Sequence, residues 1–210
     1  MDLSALAEAV IKGDITQVTE LTKKALDDQT DLNDIINNGL IAGMNVIGER
    51  FKNNEIFIPE VMISARAMHA GMEILKPLFT AQGIEPKGIV VIATVKGDVH
   101  DIGKNLVAMM FESAGFKVID LGIDIDAAKI INAVKDHKPN ILALSTLLTT
   151  TLDNMKEIIN SLKTEGLRED VLVMIGGAAV NELYAMEIGA DGYAKDASLA
   201  VDKAKELMGI

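Results

Sequence analysis

The sequence contains no cysteine. Disulfides, thiolate zinc sites, iron–sulfur clusters and thiol catalysis are therefore excluded. Histidines number three, His69, His100 and His137, too few for a metal centre built from several imidazoles. Basic residues are outnumbered, 20 against 31 acidic, for a net charge of −11. Phosphate backbones and anionic membrane surfaces need a basic footprint, so neither nucleic acid nor a membrane is expected as a partner. No run of about 20 uncharged apolar residues occurs, so no span is expected. Met1-Asp2-Leu3-Ser4 has neither the basic start nor the apolar core of a signal peptide. A cytoplasmic protein is the expectation. What is present is ordinary for a globular chain: 49% hydrophobic residues over 210 positions, enough for two domains of about 100 residues each.

The first 80 or so residues carry a helical apolar period. A short helix over Leu3–Ile11 ends at Gly13, and Asp14 can cap the next. Ile15, Val18, Thr22, Ala25 and Leu26 form one stripe. Leu32, Ile35, Ile36, Leu40, Met44 and Ile47 form a second. The third runs through Ile58, Val61, Met62, Ala65, Met68, Met72, Leu75 and Phe79. Four helices on short loops predict an antiparallel bundle over 1–82.

The period breaks at Ala81-Gln82-Gly83-Ile84-Glu85-Pro86-Lys87-Gly88, a linker by composition. Strand-like runs follow at Ile89–Val95, Lys117–Leu121, Ile141–Ser145, Val171–Ile175 and Gly192–Ala194, with helical stretches between them. This alternation predicts a Rossmann-like, flavodoxin-type α/β domain over 88–210 with a five-stranded parallel sheet. Such sheets bind ligands beyond the carboxyl ends of their strands, so the loops after the strands carry the candidate chemistry.

The loop after the first strand is Lys96-Gly97-Asp98-Val99-His100-Asp101-Ile102-Gly103-Lys104. Asp98 and His100, two apart, can point the same way in an extended loop. The carboxylate can then hold one ring nitrogen and leave the other for a metal or a proton. The same residues also suit a helix start capped by Asp101, or a magnesium and phosphate site. The loop after the third strand, Ser145-Thr146-Leu147-Leu148-Thr149-Thr150-Thr151, has five hydroxyls in seven residues, more than capping one helix requires. Gly176-Gly177-Ala178-Ala179, after the fourth strand, either leaves room for a bulky group or makes a tight turn.

Taken in order, Asp98-x-His100-x-x-Gly103, Ser145-x-Leu147 and Gly176-Gly177 resemble the cobalamin-binding module of methionine synthase and of the small corrinoid proteins of anaerobic methyltransferase systems. The resemblance extends into the helical part. It implies a cobalamin or related corrinoid cofactor with His100 as the lower, metal-bound ligand of cobalt. It implies that Asp98 accepts a hydrogen bond from the other ring nitrogen, and that Thr151, where the family member compared has serine, contacts Asp98. A proton moving through Thr151, Asp98 and His100 would then govern whether the imidazole stays on the metal. Gly97, Val99, Asp101, Gly103 and Leu147 would lie around the cofactor. Ser145 and Thr149 would line the slot for its nucleotide tail, Gly176 and Gly177 would make room, and Ala197 would lie near its end. Phe51, Ile58 and Met62 would cover the upper face, although a methionine-rich helical stripe alone reads as bundle core. This chain has Asn37-Asn38 where a glutamate is common in the cap.

With one bundle and one sheet domain, the chain is expected to be a stand-alone methyl carrier of anaerobic one-carbon metabolism, not catalytic alone. The implied partners are a substrate:corrinoid methyltransferase taking methyl from a methylamine, methanol, a methoxyaromatic or a betaine, and a methylcorrinoid:acceptor methyltransferase using tetrahydrofolate or a thiol. A reductive activase completes the set. Residues 80–88 would be the hinge. Two other classes share the module. A cobalamin-dependent sensor or regulator typically has a DNA-binding segment and a tryptophan in its cap, and this chain has no tryptophan. The small subunit of an adenosylcobalamin mutase generally lacks the helical cap.

Overall fold

The computed structural model describes residues 3–82 and 86–210. The chain divides into two compact units, one built on the residues up to Pro86 together with Ser113–Gly115, the other on the rest of Lys87–Ile210. The expected linker falls partly on residues 83–85, outside the described residues.

The first unit is helical because its apolar residues recur every three to four positions and its helix ends are punctuated. α1 (Ser4–Lys12) stops at Gly13, and the Asp14 carboxylate accepts the Gln17 N–H to start α2 (Ile15–Asp27). Asp31 likewise accepts from Asn33 and Asp34 to open α3 (Leu32–Asp34). A π-helical stretch, Ile35–Ile41, leads into α4 (Ala42–Lys52), and α5 (Ile58–Gln82) follows. Leu6, Val10, Val18, Ile35, Leu40, Met44, Val61, Met68 and Leu75 are buried. The expected stripes supply most of this core, but Ile15 and Ile58, at the starts of α2 and α5, are exposed, and Leu26, Met62 and Met72 are half-buried.

The crossing of α1 on α4 depends on glycine. A Cβ on Gly43 would lie 2.6 Å from the Ala7 carbonyl oxygen and 2.8 Å from Val10 Cβ. In an open helix, Gly→Ala stabilises by about 1 kcal/mol. Here Gly43→Ala is expected to destabilise the chain by roughly 1–3 kcal/mol, because the helices must separate. Urea unfolding of the full chain reads the sign directly.

The second unit is a five-stranded parallel sheet, β1 (Ile89–Thr94), β2 (Lys117–Asp120), β3 (Ile141–Ser145), β4 (Leu172–Gly176) and β5 (Gly192–Ala194). The strand order is β2-β1-β3-β4-β5. Helices α6 (Ile102–Ser113), α7 (Ala127–His137), α8 (Leu152–Thr164), α9 (Glu182–Ile188) and α10 (Ala197–Met208) connect and follow the strands. β1 and β3 are apolar almost throughout and buried, as a sheet covered on both faces requires. The winding direction reverses between β1 and β3, the position where such sheets open a crevice. Register sets Thr94, Ser145 and Gly176 level at the carboxyl edge. No helix among the described residues is long and apolar enough to cross a membrane.

Candidate cofactor-binding site

The β1–α6 loop lies at this switch point. It is tied to its own strand: the Thr94 hydroxyl donates to the His100 carbonyl at 2.9 Å. Asp98 is fully buried, whereas the His100 side chain is 48% exposed. Asp98 Oδ1 accepts the His100 backbone N–H at 3.0 Å and lies 2.7 Å from His100 Nδ1. An ionised carboxylate only accepts, so it keeps the ring proton on Nδ1. Nε2, at the far edge of the ring, is left with its lone pair.

The other carboxylate oxygen is held equally closely. Asp98 Oδ2 accepts the Leu147 N–H at 2.7 Å and the Thr146 hydroxyl at 2.8 Å. Thr146 and Thr151 hydroxyls are 2.5 Å apart, and the Thr151 hydroxyl also lies 3.0 Å from the Leu148 carbonyl. The resemblance implies that Thr151 contacts Asp98 directly. The structure corrects this: Thr146 makes that contact and Thr151 stands one hydrogen bond further out. The reason is local geometry. β3 ends at Ser145, so strand alternation turns the next side chain, Thr146, to the face shared by Leu142 and Leu144. Residues Thr149–Thr151 then form a 3₁₀ turn, which no spacing argument revealed. The alternation was the available signal for Thr146.

Burial works against the Asp98 charge, but the His100 and Leu147 N–H groups, the imidazole and the Thr146 hydroxyl together hold its carboxyl far below the usual carboxylate range. Gly177 fixes the hydroxyl loop from the other side. Its φ is +116°, and a Cβ there would sit 1.9 Å from the Thr146 carbonyl oxygen. The expectation that Gly177 makes room for a ligand therefore needs correction. The space beside it is filled by the chain's own Thr146, and Thr146 N–H donates to the Gly176 carbonyl.

The remaining sequence candidates spread along the same edge. Val99, Asp101, Ile102 and Gly103 are exposed, as are Leu147, Leu148 and Thr149; Ser145 and Gly176 are half-buried, and Ala197 is buried. Gly97 adopts φ +81°. Two features of this rim fit a flat corrin. Val99, Ile102, Ile123, Leu147 and Leu148, from the segments that follow β1, β2 and β3, are exposed apolar side chains at the carboxyl edge of the sheet. A Cβ on Gly103 would meet nothing within 4 Å, so that edge of the helix start is open. A bare ion fits less well: no group of three or more His, Cys, Asp or Glu side chains converges among the described residues. A metal bringing its own macrocycle needs one protein nitrogen, and one is offered.

A residue that the sequence reading passed over is Lys104. It is buried in the first turn of α6, its Nζ 2.5 Å from Asp120 and 2.6 Å from Asn105 Oδ1. The pair pins the helix after the histidine loop to the end of β2. In the helical unit, Phe51 and Met62 are half-buried and Ile58 is exposed, whereas Met44 and Met68 are core.

Comparison with known proteins agrees with this geometry. A family described as "B12 binding domain" matches residues 88–202, and a second of the same description matches residues 3–76. A corrinoid protein of Desulfitobacterium hafniense (strain Y51) is 44% identical over 210 residues, 99% of this chain and 97% of that one. Dimethylamine corrinoid protein 1 of Methanosarcina acetivorans is 46% identical over 207 residues, 98% and 97% of the two chains. Among solved structures, the methanol:cobalamin methyltransferase complex of Methanosarcina barkeri superposes with a TM-score of 0.89 at 34% identity, covering 98% of this chain and 78% of that one. The imidazole offered at the switch point of the sheet, the helical unit before it and these full-length matches place the chain in the family of B12-binding corrinoid proteins.

Proposed function

We propose that the chain is a methyl-carrying corrinoid protein in which His100 Nε2 is the lower ligand of cobalt. The observation that carries this is the anchoring of Nδ1 by a fully buried carboxylate while the imidazole side chain stays about half exposed. When bound, the corrinoid supplies a cobalt that accepts and gives up a methyl group; the protein holds and tunes it.

The chain's own residues do the rest. Asp98 keeps the ring proton on Nδ1 and sets the ring's direction. Leu147 N–H and Thr146 hold Asp98 in turn. Two hydroxyl hydrogens serve the row Asp98 Oδ2, Thr146, Thr151 and the Leu148 carbonyl. With Asp98 ionised the row points inward, Thr151 to Thr146 to Asp98. With a proton on Oδ2 it reverses and ends on the Leu148 carbonyl. A proton therefore reaches Asp98 through Thr146, with Thr151 as the outer member. On this reading Ser145 and Thr149 would line the slot for the nucleotide tail, Gly176 would leave room for it, and Ala197 would lie near its end. Phe51, Ile58 and Met62 of the helical unit lie outside its buried core, together with Val46, Phe57 and Ile63, and the reading keeps the first three as candidates for contact with the cofactor.

Relatives point to the partners. One is named for dimethylamine, and another was solved in complex with a methanol methyltransferase. The methyl donor's enzyme is thus a methyltransferase for a methylated amine or methanol. A second methyltransferase passes the methyl to tetrahydrofolate or a thiol, and a reductive activase restores the carrier.

Full-length protein reconstituted with hydroxocobalamin should retain the coloured cofactor through desalting in about a one-to-one ratio. His100→Ala should change the visible spectrum of the bound cofactor and bind roughly 10–100-fold more weakly. A colourless wild type, or an unchanged spectrum in the variant, refutes the reading.

A further inference from the structure

The loop after β2 grips the histidine loop through one residue, Asp124, which the function above does not use. Asp124 Oδ1 accepts the Gly97 N–H at 2.7 Å, and the Asp124 N–H donates to the Asp98 carbonyl at 3.0 Å. Both bonds bracket the residue that anchors His100. To make them Asp124 adopts φ +54°, a left-handed conformation uncommon outside glycine, asparagine and aspartate. Neighbouring bonds locate the turn itself: Thr94 N–H donates to Gly122, Ile125 N–H donates to Thr94, and Val95 bridges to Ile125. A glycine would satisfy that turn. What aspartate adds is an acceptor aimed at Gly97. Thr151 Cγ2 also lies close to this glycine, 3.1 Å from where a Gly97 Cβ would be. The Gly97 N–H itself is held by a single side chain, that of Asp124.

We propose that Asp124 is a positioning residue for the lower ligand, setting the direction of His100 by clamping Gly97 and Asp98. This rests on the reading of His100 as the cobalt ligand. Without the acceptor the loop relaxes outward, and the imidazole loses its fixed approach to the metal.

The test uses full-length protein carrying hydroxocobalamin reduced to cobalt(II). Nitrogen superhyperfine splitting in the electron paramagnetic resonance spectrum that changes on 15N labelling of the protein reports an axial imidazole from the chain, distinct from the cofactor's own benzimidazole. Asp124→Gly keeps the backbone conformation and removes the acceptor; Asp124→Asn tolerates the same φ and keeps an Oδ1 acceptor. The glycine variant should lose at least half of the nitrogen-coupled signal and bind the corrinoid about 10-fold more weakly. In cofactor-free protein its Gly97 amide should exchange at least about 10-fold faster. The asparagine variant should restore all three. A glycine variant with full coupling and wild-type affinity makes Asp124 a turn residue only and overturns the proposal while the His100 reading stands. An asparagine variant that behaves like glycine also overturns it. A wild-type spectrum whose nitrogen coupling does not respond to 15N labelling of the protein, matching His100→Ala, overturns the ligand reading and the proposal with it.

Discussion

Gly177→Ala is expected to dislodge the hydroxyl loop, destabilise the sheet domain by on the order of 3 kcal/mol or more, and end retention of the corrinoid through desalting. Two independent costs combine. The φ of +116° is open to glycine and strained for any residue with a Cβ. The added methyl would also stand 1.9 Å from a backbone oxygen, that of Thr146, and a backbone atom cannot step aside as a side-chain tip can. Relief requires moving Thr146, and with it the hydroxyl and the Leu147 N–H that hold Asp98. The neighbouring Gly176→Ala is the comparison. Its Cβ would lie 3.1 Å from the Ala194 oxygen with no positive φ, so a loss of only about 1 kcal/mol is expected. Denaturant unfolding and cofactor retention of both variants check the contrast; equal effects would show that the seat of Thr146 is not the reason.

Asp98→Ala is expected to cost about 3 kcal/mol of stability at neutral pH. It strands the Leu147 N–H, the buried Thr146 hydroxyl and the His100 ring N–H around a missing acceptor. The charge also gives a pH signature. The folded-state pKa of Asp98 is depressed, so its stabilisation is complete above the unfolded carboxyl's pKa near 4. Below that pH the unfolded chain takes up a proton that the folded chain refuses. Stability attributable to Asp98 therefore falls by up to about 1.4 kcal/mol per pH unit as acid is added. Subtracting the acid-branch stability curve of Asp98→Asn from that of the wild type should expose this slope. Parallel curves between pH 4 and pH 2 would mean that Asp98 is not held ionised by its partners.

The period of the apolar residues by itself determines much of this protein. Stripes at three and four residues could only be helices, and alternating short apolar runs and helices could only be a wound parallel sheet, because each element must bury its apolar side. Glycine and aspartate at positions 13, 14 and 31 set helix ends by local hydrogen bonding alone. The pairing of Asp98 with His100 was likewise local, since two residues in one short loop need no other segment to meet.

Contacts between distant segments were decided only by the tertiary structure. Which hydroxyl of five reaches Asp98 depends on where β3 ends and on the 3₁₀ turn after it, and that choice fell to Thr146. Gly177 looked like empty space along the chain and is in fact packed against Thr146, about 30 residues away in sequence. The Asp124 clamp crosses from one βα loop to another, and no spacing of acidic residues distinguishes it from its neighbours Asp120 and Asp126. Periodicity records how each element faces the core, whereas the aim of a single side chain across loops is set by strand register and by backbone angles that sequence constrains only weakly. The imidazole was therefore legible from the start, and the shell that points it was not.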